Sequence, residues 1–414
     1  MTVACWLHAC IFPVPCPSAA PPISPSLPAL QQGGVPALAG DTSIYTTRVA
    51  DARTLHKSLF CSQRFFPRVH RITADNQGML ASLMMTHFAA VASASSPSSF
   101  SCAVSALTLK PGQPEYEVCV QNGTGVSNHI SFQWFTGSFG KTAGQGADAV
   151  LVSFFVDGEA KASVSLFPYE LAGTPSPQSY NRTLSLPHKT WSSELWGQNS
   201  ATSWVNSFPV PFTRSVRITL RYTASTHSAR VYYQAHGLLN APAVFGTLPL
   251  PPTARLAIQR QELTLPRLAY LNVSHFERGA GVVAAVAIAF TAPNLNTLEG
   301  CFHFYSAASI PYPGHLHSTG TEDEFASSYY FDLGPFTSRR AGCAYISPPP
   351  HAEAGMWRTY QDDPLIFSDG GSFVWRNGDT NDPTGVKCIL ERGGTPAGNP
   401  QPAAVQTASW NYVW

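Results

Sequence analysis

From about residue 105 onward, apolar residues come in short runs separated by Gly, Pro, Asn and Asp. HISFQWF (129–135), AVLVSFFVDGE (149–159), ASVSLFPYE (162–170), SVRITLRYT (215–223) and ARVYYQAHG (229–237) are rich in Val, Ile, Phe and Tyr. Several alternate apolar with polar positions, as strands with one buried face do. GVVAAVAIAF (281–290), CFHFYSA (301–307), DPLIF (363–367), SFVWRNG (372–378) and SWNYVW (409–414) continue the series. Helical periodicity is scarce. Many strands without alternating helices predict packed antiparallel sheets. The fold class expected is all-β, as two jelly-roll sandwiches side by side, since roughly 310 residues exceed one sandwich.

Prolines in GTLPLPPTARLAIQRQEL place a soft boundary near 245–262, giving a first jelly roll over 95–250 and a second over 251–414. The beginning of the chain reads differently. Residues 1–78 follow neither a helical nor a strand period. The next stretch, MLASLMMTHFAAVASASS, starts at Met79, carries an apolar run and ends in Ala92-Ser93-Ala94. That is the form of a secretory signal peptide over 79–94 with a small-x-small cleavage site, too short to span a bilayer. Residues 1–78 are then a gene-model artefact or a disordered extension. The expected location is secreted, with sequons at Asn122, Asn181 and Asn272 in agreement.

Composition narrows the partners. A net charge of +1 without a Lys/Arg run leaves no basic footprint for nucleic acid or an anionic membrane. The 35 prolines disfavour long helices. None of the 9 cysteines forms a close CxxC pair. Five of them (Cys102, Cys119, Cys301, Cys343 and Cys388) follow residue 79, an odd number that leaves at least one thiol.

Acidic residues are sparse, so Glu322, Asp323 and Glu324 stand out beside LEGCFHFY and MWRTYQDDPLIF. Glycoside hydrolysis needs two carboxyl groups across the scissile bond, one to protonate the leaving oxygen and one to attack or to activate water. Glu299 and Glu322 are 322 − 299 = 23 residues apart. That spacing lets one end a strand while the other begins the turn after its hairpin partner. On residue types alone a solvated acidic turn or a calcium site fits as well.

The ordered series LEGCFHFY, STGTEDEF and WRTYQDDPLIF resembles glycoside hydrolase family 172, which includes α-D-fructofuranosidase, difructose-dianhydride and D-arabinan-degrading activities. LTLKPGQPEYEVCVQNGTGVSNHISFQWFTG, VLVSFFVDGEAKASVSLFPYELAG and the closing SWNYVW follow in the family's order, so the resemblance covers roughly 107–414. It implies double jelly rolls assembled as homotrimers or multiples of trimers, with a carbohydrate substrate and no metal or cofactor. It implies Glu299 as nucleophile and Glu322 as general acid/base of a retaining mechanism, with carboxyls about 5–5.5 Å apart. Asp323, Trp134, Arg358 and Asp363 match positions assigned here to substrate binding. A structural ion pair for Arg358 with Asp363 and a core Trp134 are equally open.

The chain also departs from the family. Cys301 stands for an Asp, Glu324 for a Tyr, Tyr360 for a His, and Arg376 for the Glu of a strand end. Such changes alter hydrogen bonding and charge in a sugar site. The alternative expectation is a non-catalytic carbohydrate-binding or structural jelly roll.

Overall fold

A computed structural model describes residues 96–138, 147–185, 191–200, 202–306, 309–381, 388 and 395–414. The signal peptide expected at 79–94, the segment 1–78 and Cys5, Cys10, Cys16 and Cys61 lie outside the described residues. No helix among the described residues is long and apolar enough to cross a membrane.

The first sandwich is wound from β1 (Ser98–Leu109), β2 (Tyr116–Asn122), β3 (Asn128–Ser138), β4 (Val150–Val156), β5 (Val164–Leu166), β6 (Trp196–Ser200), β7 (Ser203–Asn206), β8 (Val210–Phe212), β9 (Ser215–Tyr222) and β10 (Ala229–Leu239). One sheet runs β1-β10-β3-β7-β6 with β8 on β3, and the other runs β2-β9-β4-β5. Successive strands β1 to β4 cross between the sheets, and the first strand lies beside the last. That is jelly-roll winding. Alternation drives it: along β10, Ala229, Val231, Tyr233 and Ala235 face inward while Arg230 and His236 face water.

A small hairpin, β11 (Val244–Phe245) with β12 (Leu248–Pro249), leads to the second sandwich. There β13 (Arg255–Leu265), β14 (Tyr270–Phe276), β15 (Gly281–Ala292) and β16 (Phe302–Ser306) repeat the crossing pattern, and β17 (Ile310–Ser318) returns beside β16. They are followed by β18 (Phe336–Thr337), β19 (Ala341–Ser347), β20 (Ala352–Thr359), β21 (Leu365–Phe367), β22 (Gly371–Arg376), β23 (Thr380–Asn381), β24 (Thr395–Pro396) and β25 (Ala403–Val413). One sheet is β13-β25-β15-β20-β19-β18 with β21 on β15, and the other is β14-β22-β16-β17. The chain is therefore an all-β double jelly roll, as its strand pattern predicts.

β15 explains how the two rolls adhere. Its apolar run is buried on both faces, as a strand covered from both sides must be. Val283, Val286, Ile288 and Phe290 enter the second roll's core. Ala284, Ala285, Ala287 and Ala289 join the core of the first. Small residues on that face leave room for aromatics: Trp196 from the first roll packs at a tilt against Trp410 at 4.8 Å and meets Trp357 edge-on at 5.9 Å.

Three expectations need correction. The first strand starts at Ser98, ahead of the run near 105. The segment 162–170 is not one strand: β5 ends at Leu166, and Pro168 opens a short helix, Pro168–Leu171, because proline at a first helical position forfeits no hydrogen bond. β13 occupies the later part of the proline-marked boundary, so the connection itself is shorter.

Candidate functional site

Glu299 and Glu322 sit beside the β14-β22-β16-β17 sheet of the second roll. Glu299 does not end a strand. It closes a 3-10 turn, Leu295–Glu299, whose start is capped by the Asn294 side chain accepting from the Asn296 N–H at 3.0 Å. Gly300 follows because the chain passes against β22 there: a Cβ at this position would lie 1.6 Å from the Arg376 carbonyl oxygen. β16 begins only at Phe302, pairing with β22 and with the edge strand β17.

After β17 the chain makes a short helix, Thr321–Glu324. Thr321 ties it down. Its hydroxyl donates to the Gly300 carbonyl at 2.9 Å and accepts from the Trp375 indole N–H at 2.8 Å, all buried. The two glutamate-bearing segments are thereby joined through one threonine, and this is the local reason for Gly-Thr ahead of the acids.

The acidic run then divides in three directions. The Glu322 carboxyl is buried, and its Oε1 accepts the Tyr330 backbone N–H at 3.3 Å. Its Oε2 has no protein partner among the described residues. Burial raises its pKa above the ordinary carboxylic range, the Asp323 and Glu299 charges add to the rise, and two backbone N–H groups oppose it. Asp323 is exposed and accepts from the Thr319 hydroxyl at 2.6 Å. Glu324 is fully buried, accepting from Tyr360 Oη at 2.5 Å and from His317 Nδ1, with Arg358 Nη1 at 3.5 Å. Burial, reinforced by Glu324, pushes the Tyr360 phenol well up, so Tyr360 is the donor.

The residue that joins the pair is one the sequence reading passed over. Tyr330 donates its phenol O–H to Glu299 Oε1 and its backbone N–H to Glu322 Oε1. No motif flagged it. It stands in a run, SSYYF, whose last three residues take a left-handed backbone that only the folded loop reveals. Asn296, whose Nδ2 donates to the Tyr330 phenol oxygen at 3.4 Å, was missed for the same reason.

The other sequence-derived positions fall elsewhere. Arg358 pairs with Asp363 and donates from Nη1 to the Glu324 carbonyl at 2.7 Å, so it braces the acidic turn from behind. Trp134 lies on β3 in the first roll, its indole donating to Ser203 Oγ at 2.9 Å, and is not part of the Glu299–Glu322 group. Cys301 is bonded to Cys388, and Cys102 to Cys119. Cys343 is buried, with its thiol directed at the Tyr345 carbonyl. Cys301, Cys388 and the Asp379 carboxylate cluster within 4.8 Å, but the sulfurs bonded to each other are not metal ligands. Arg376 is buried against Asp379 at 3.0 Å and over the Tyr270 ring at 5.3 Å.

Chemically, the site offers one half-exposed carboxylate, one buried carboxyl biased toward its acid form, and a phenol between them. That is the equipment for protonating a leaving oxygen beside a nucleophile or a charge stabiliser.

No known family profile matches the chain, and no curated protein does. Among solved structures, the major capsid protein P2 from bacteriophage PM2 aligns over 77% of this chain and 98% of its own at 8% identity, with a TM-score of 0.37. The STIV MCP aligns over 76% and 97% at 10% identity, with a TM-score of 0.33. PBCV-1 VP54, fitted into a reconstruction of the virophage Sputnik, aligns over 77% and 94% at 8% identity, with a TM-score of 0.31. These values describe a coarse similarity of chain trace and say nothing of the site.

Proposed function

We propose that this double jelly-roll protein is a retaining glycoside hydrolase acting on α-linked furanosides, D-fructofuranosides or D-arabinofuranosides. The observation that supports this reading is the joint attachment of Glu299 and Glu322 to Tyr330, with burial biasing Glu322 toward its acid form. Glu299 forms a bond to the anomeric carbon while Glu322 gives its proton to the departing oxygen. Water then attacks the same carbon, Glu322 takes its proton, and the bond to Glu299 breaks. Asp323, exposed in the same turn as Glu322, is placed by this reading on a sugar hydroxyl. Secretion and assembly as a homotrimer belong to the same proposal: secretion rests on the signal-peptide pattern at 79–94 with its sequons, and the trimer on the resemblance to family 172.

The test is release of sugar from p-nitrophenyl α-D-arabinofuranoside and from an α-linked fructose disaccharide, by the full chain and by Glu322→Gln. Turnover by the native chain alone supports the reading.

A second reading, a non-catalytic structural or carbohydrate-binding jelly roll, is favoured by a separate observation. Three positions where family 172 carries Asp, His and Glu are spent here on internal bonds: Cys301 in a disulfide, Tyr360 on Glu324, and Arg376 on Asp379. The capsid proteins named above are structural proteins, but so distant a likeness is not what supports this reading. Absence of turnover on either sugar, whether or not sugar still binds, would select it.

A further inference from the structure

We propose that Tyr330 is the positioning residue of the carboxyl pair: its phenol orients Glu299 for attack while its own backbone N–H holds Glu322, so one residue sets both groups against the sugar. The inference rests on the glycosidase reading above.

The loop that carries Tyr330 is wound in an unusual way. Tyr329, Tyr330 and Phe331 have φ values of 46°, 58° and 58°, the left-handed region, which costs an L-residue about 1–2 kcal/mol each. Such a conformation persists only when its surroundings determine it. Phe325 and Phe331 supply that anchorage, buried on either side in the second roll's core. In this winding a single residue directs its backbone N–H at Glu322 and its side chain at Glu299.

The direction of the phenol bond follows from its surroundings. Burial first, and then the hydrogen bond to Glu299, push the Tyr330 phenol up to about 12, so it keeps its proton at neutral pH. Asn296 Nδ2 donates to the phenol oxygen, which leaves the phenol O–H to donate to Glu299. That bond engages one carboxylate oxygen and restrains the orientation in which Glu299 meets the anomeric carbon. In the second step the same bond stabilises the charge that returns to Glu299. Tyr330 transfers no proton in either step.

Tyr330→Phe removes the phenol oxygen and leaves the backbone N–H on Glu322. The full-length native chain, Tyr330→Phe and Glu322→Gln are compared on α-D-arabinofuranosides and α-D-fructofuranosides, each as the p-nitrophenyl and the methyl glycoside. Losing a charge-assisted hydrogen bond predicts a fall in kcat/KM of about 10–100-fold for Tyr330→Phe, equal for both leaving groups. Glu322→Gln falls much further on the methyl glycoside, whose poor leaving group needs the acid. A Tyr330→Phe loss concentrated on the methyl glycoside would mean that the loop no longer holds Glu322, a structural role that overturns the inference. Unchanged kinetics in Tyr330→Phe would overturn it alone, whereas an inactive native chain would overturn the glycosidase reading together with it.

Discussion

Thr321→Val tests whether one hydroxyl joins the two glutamate segments. Valine keeps the shape of threonine but can neither donate to the Gly300 carbonyl nor accept from the Trp375 indole. Both partners are buried, so each is left without its bond and costs about 1–3 kcal/mol. Taking the middle of that range twice and returning about 1 kcal/mol for the added buried methyl gives a net loss of about 3 kcal/mol. Urea unfolding of the oxidised protein reads this as a lower midpoint at unchanged slope. Thr321→Ser, which keeps the hydroxyl and loses a methyl, is expected to lose only about 1 kcal/mol. The reasoning is refuted if valine lies within about 0.5 kcal/mol of native, the scatter of ordinary surface changes, or if serine costs as much as valine.

Other outcomes follow from the same contacts. Because burial raises the Glu322 pKa in the folded state, its ionisation favours unfolding: stability is fully present below the ordinary value of 4.5 and falls as pH rises through the folded value. Glu322→Gln should therefore match the native melting temperature near pH 4 and exceed it at neutral pH; equal melting temperatures at neutral pH would contradict the assignment. The Cys301–Cys388 bond spans a sequence separation of 87, so Cys388→Ser should lower stability by about 4–5 kcal/mol in the chain-entropy account. Equal unfolding midpoints for the two proteins would count against that linkage. Arg376→Ala strands the buried Asp379 carboxylate and is expected to cost about 3–5 kcal/mol, much of it recovered when Asp379→Ala is added. No recovery in the double variant would mean that the pair is not the relevant contact.

Two of the positions where the chain differs from the family it resembles touch each other in the fold. The resemblance places a Tyr where Glu324 stands and a His where Tyr360 stands. Here the Tyr360 phenol donates directly to the Glu324 carboxylate, with Arg358 alongside. Read separately along the chain, each looks like damage to a sugar site. In the fold they form a closed buried contact, with the acid satisfied by a phenol, an imidazole and a guanidinium. Glu322, two residues earlier, remains outside that network.

The all-β class was legible because strand periodicity is local: Val, Ile and Phe at alternate positions declare a buried face whatever the partner strand is. The apolar run over 281–290 was legible as one more strand, whereas its burial on both sides, with small residues seating Trp196, Trp357 and Trp410, came only from the packing of the two rolls. The carboxylates could be singled out because acids are rare in this chain and three of them fall together after a Gly-Thr turn. What the sequence could not determine is where those groups point. Glu299 belongs to a 3-10 turn because Gly300 must pass β22, and the three neighbouring acids diverge because each meets a different partner. Tyr330 was invisible for the same reason. Its role depends on a left-handed loop pinned where Phe325 and Phe331 enter the second roll's core, and long-range packing of that kind leaves no period in the chain.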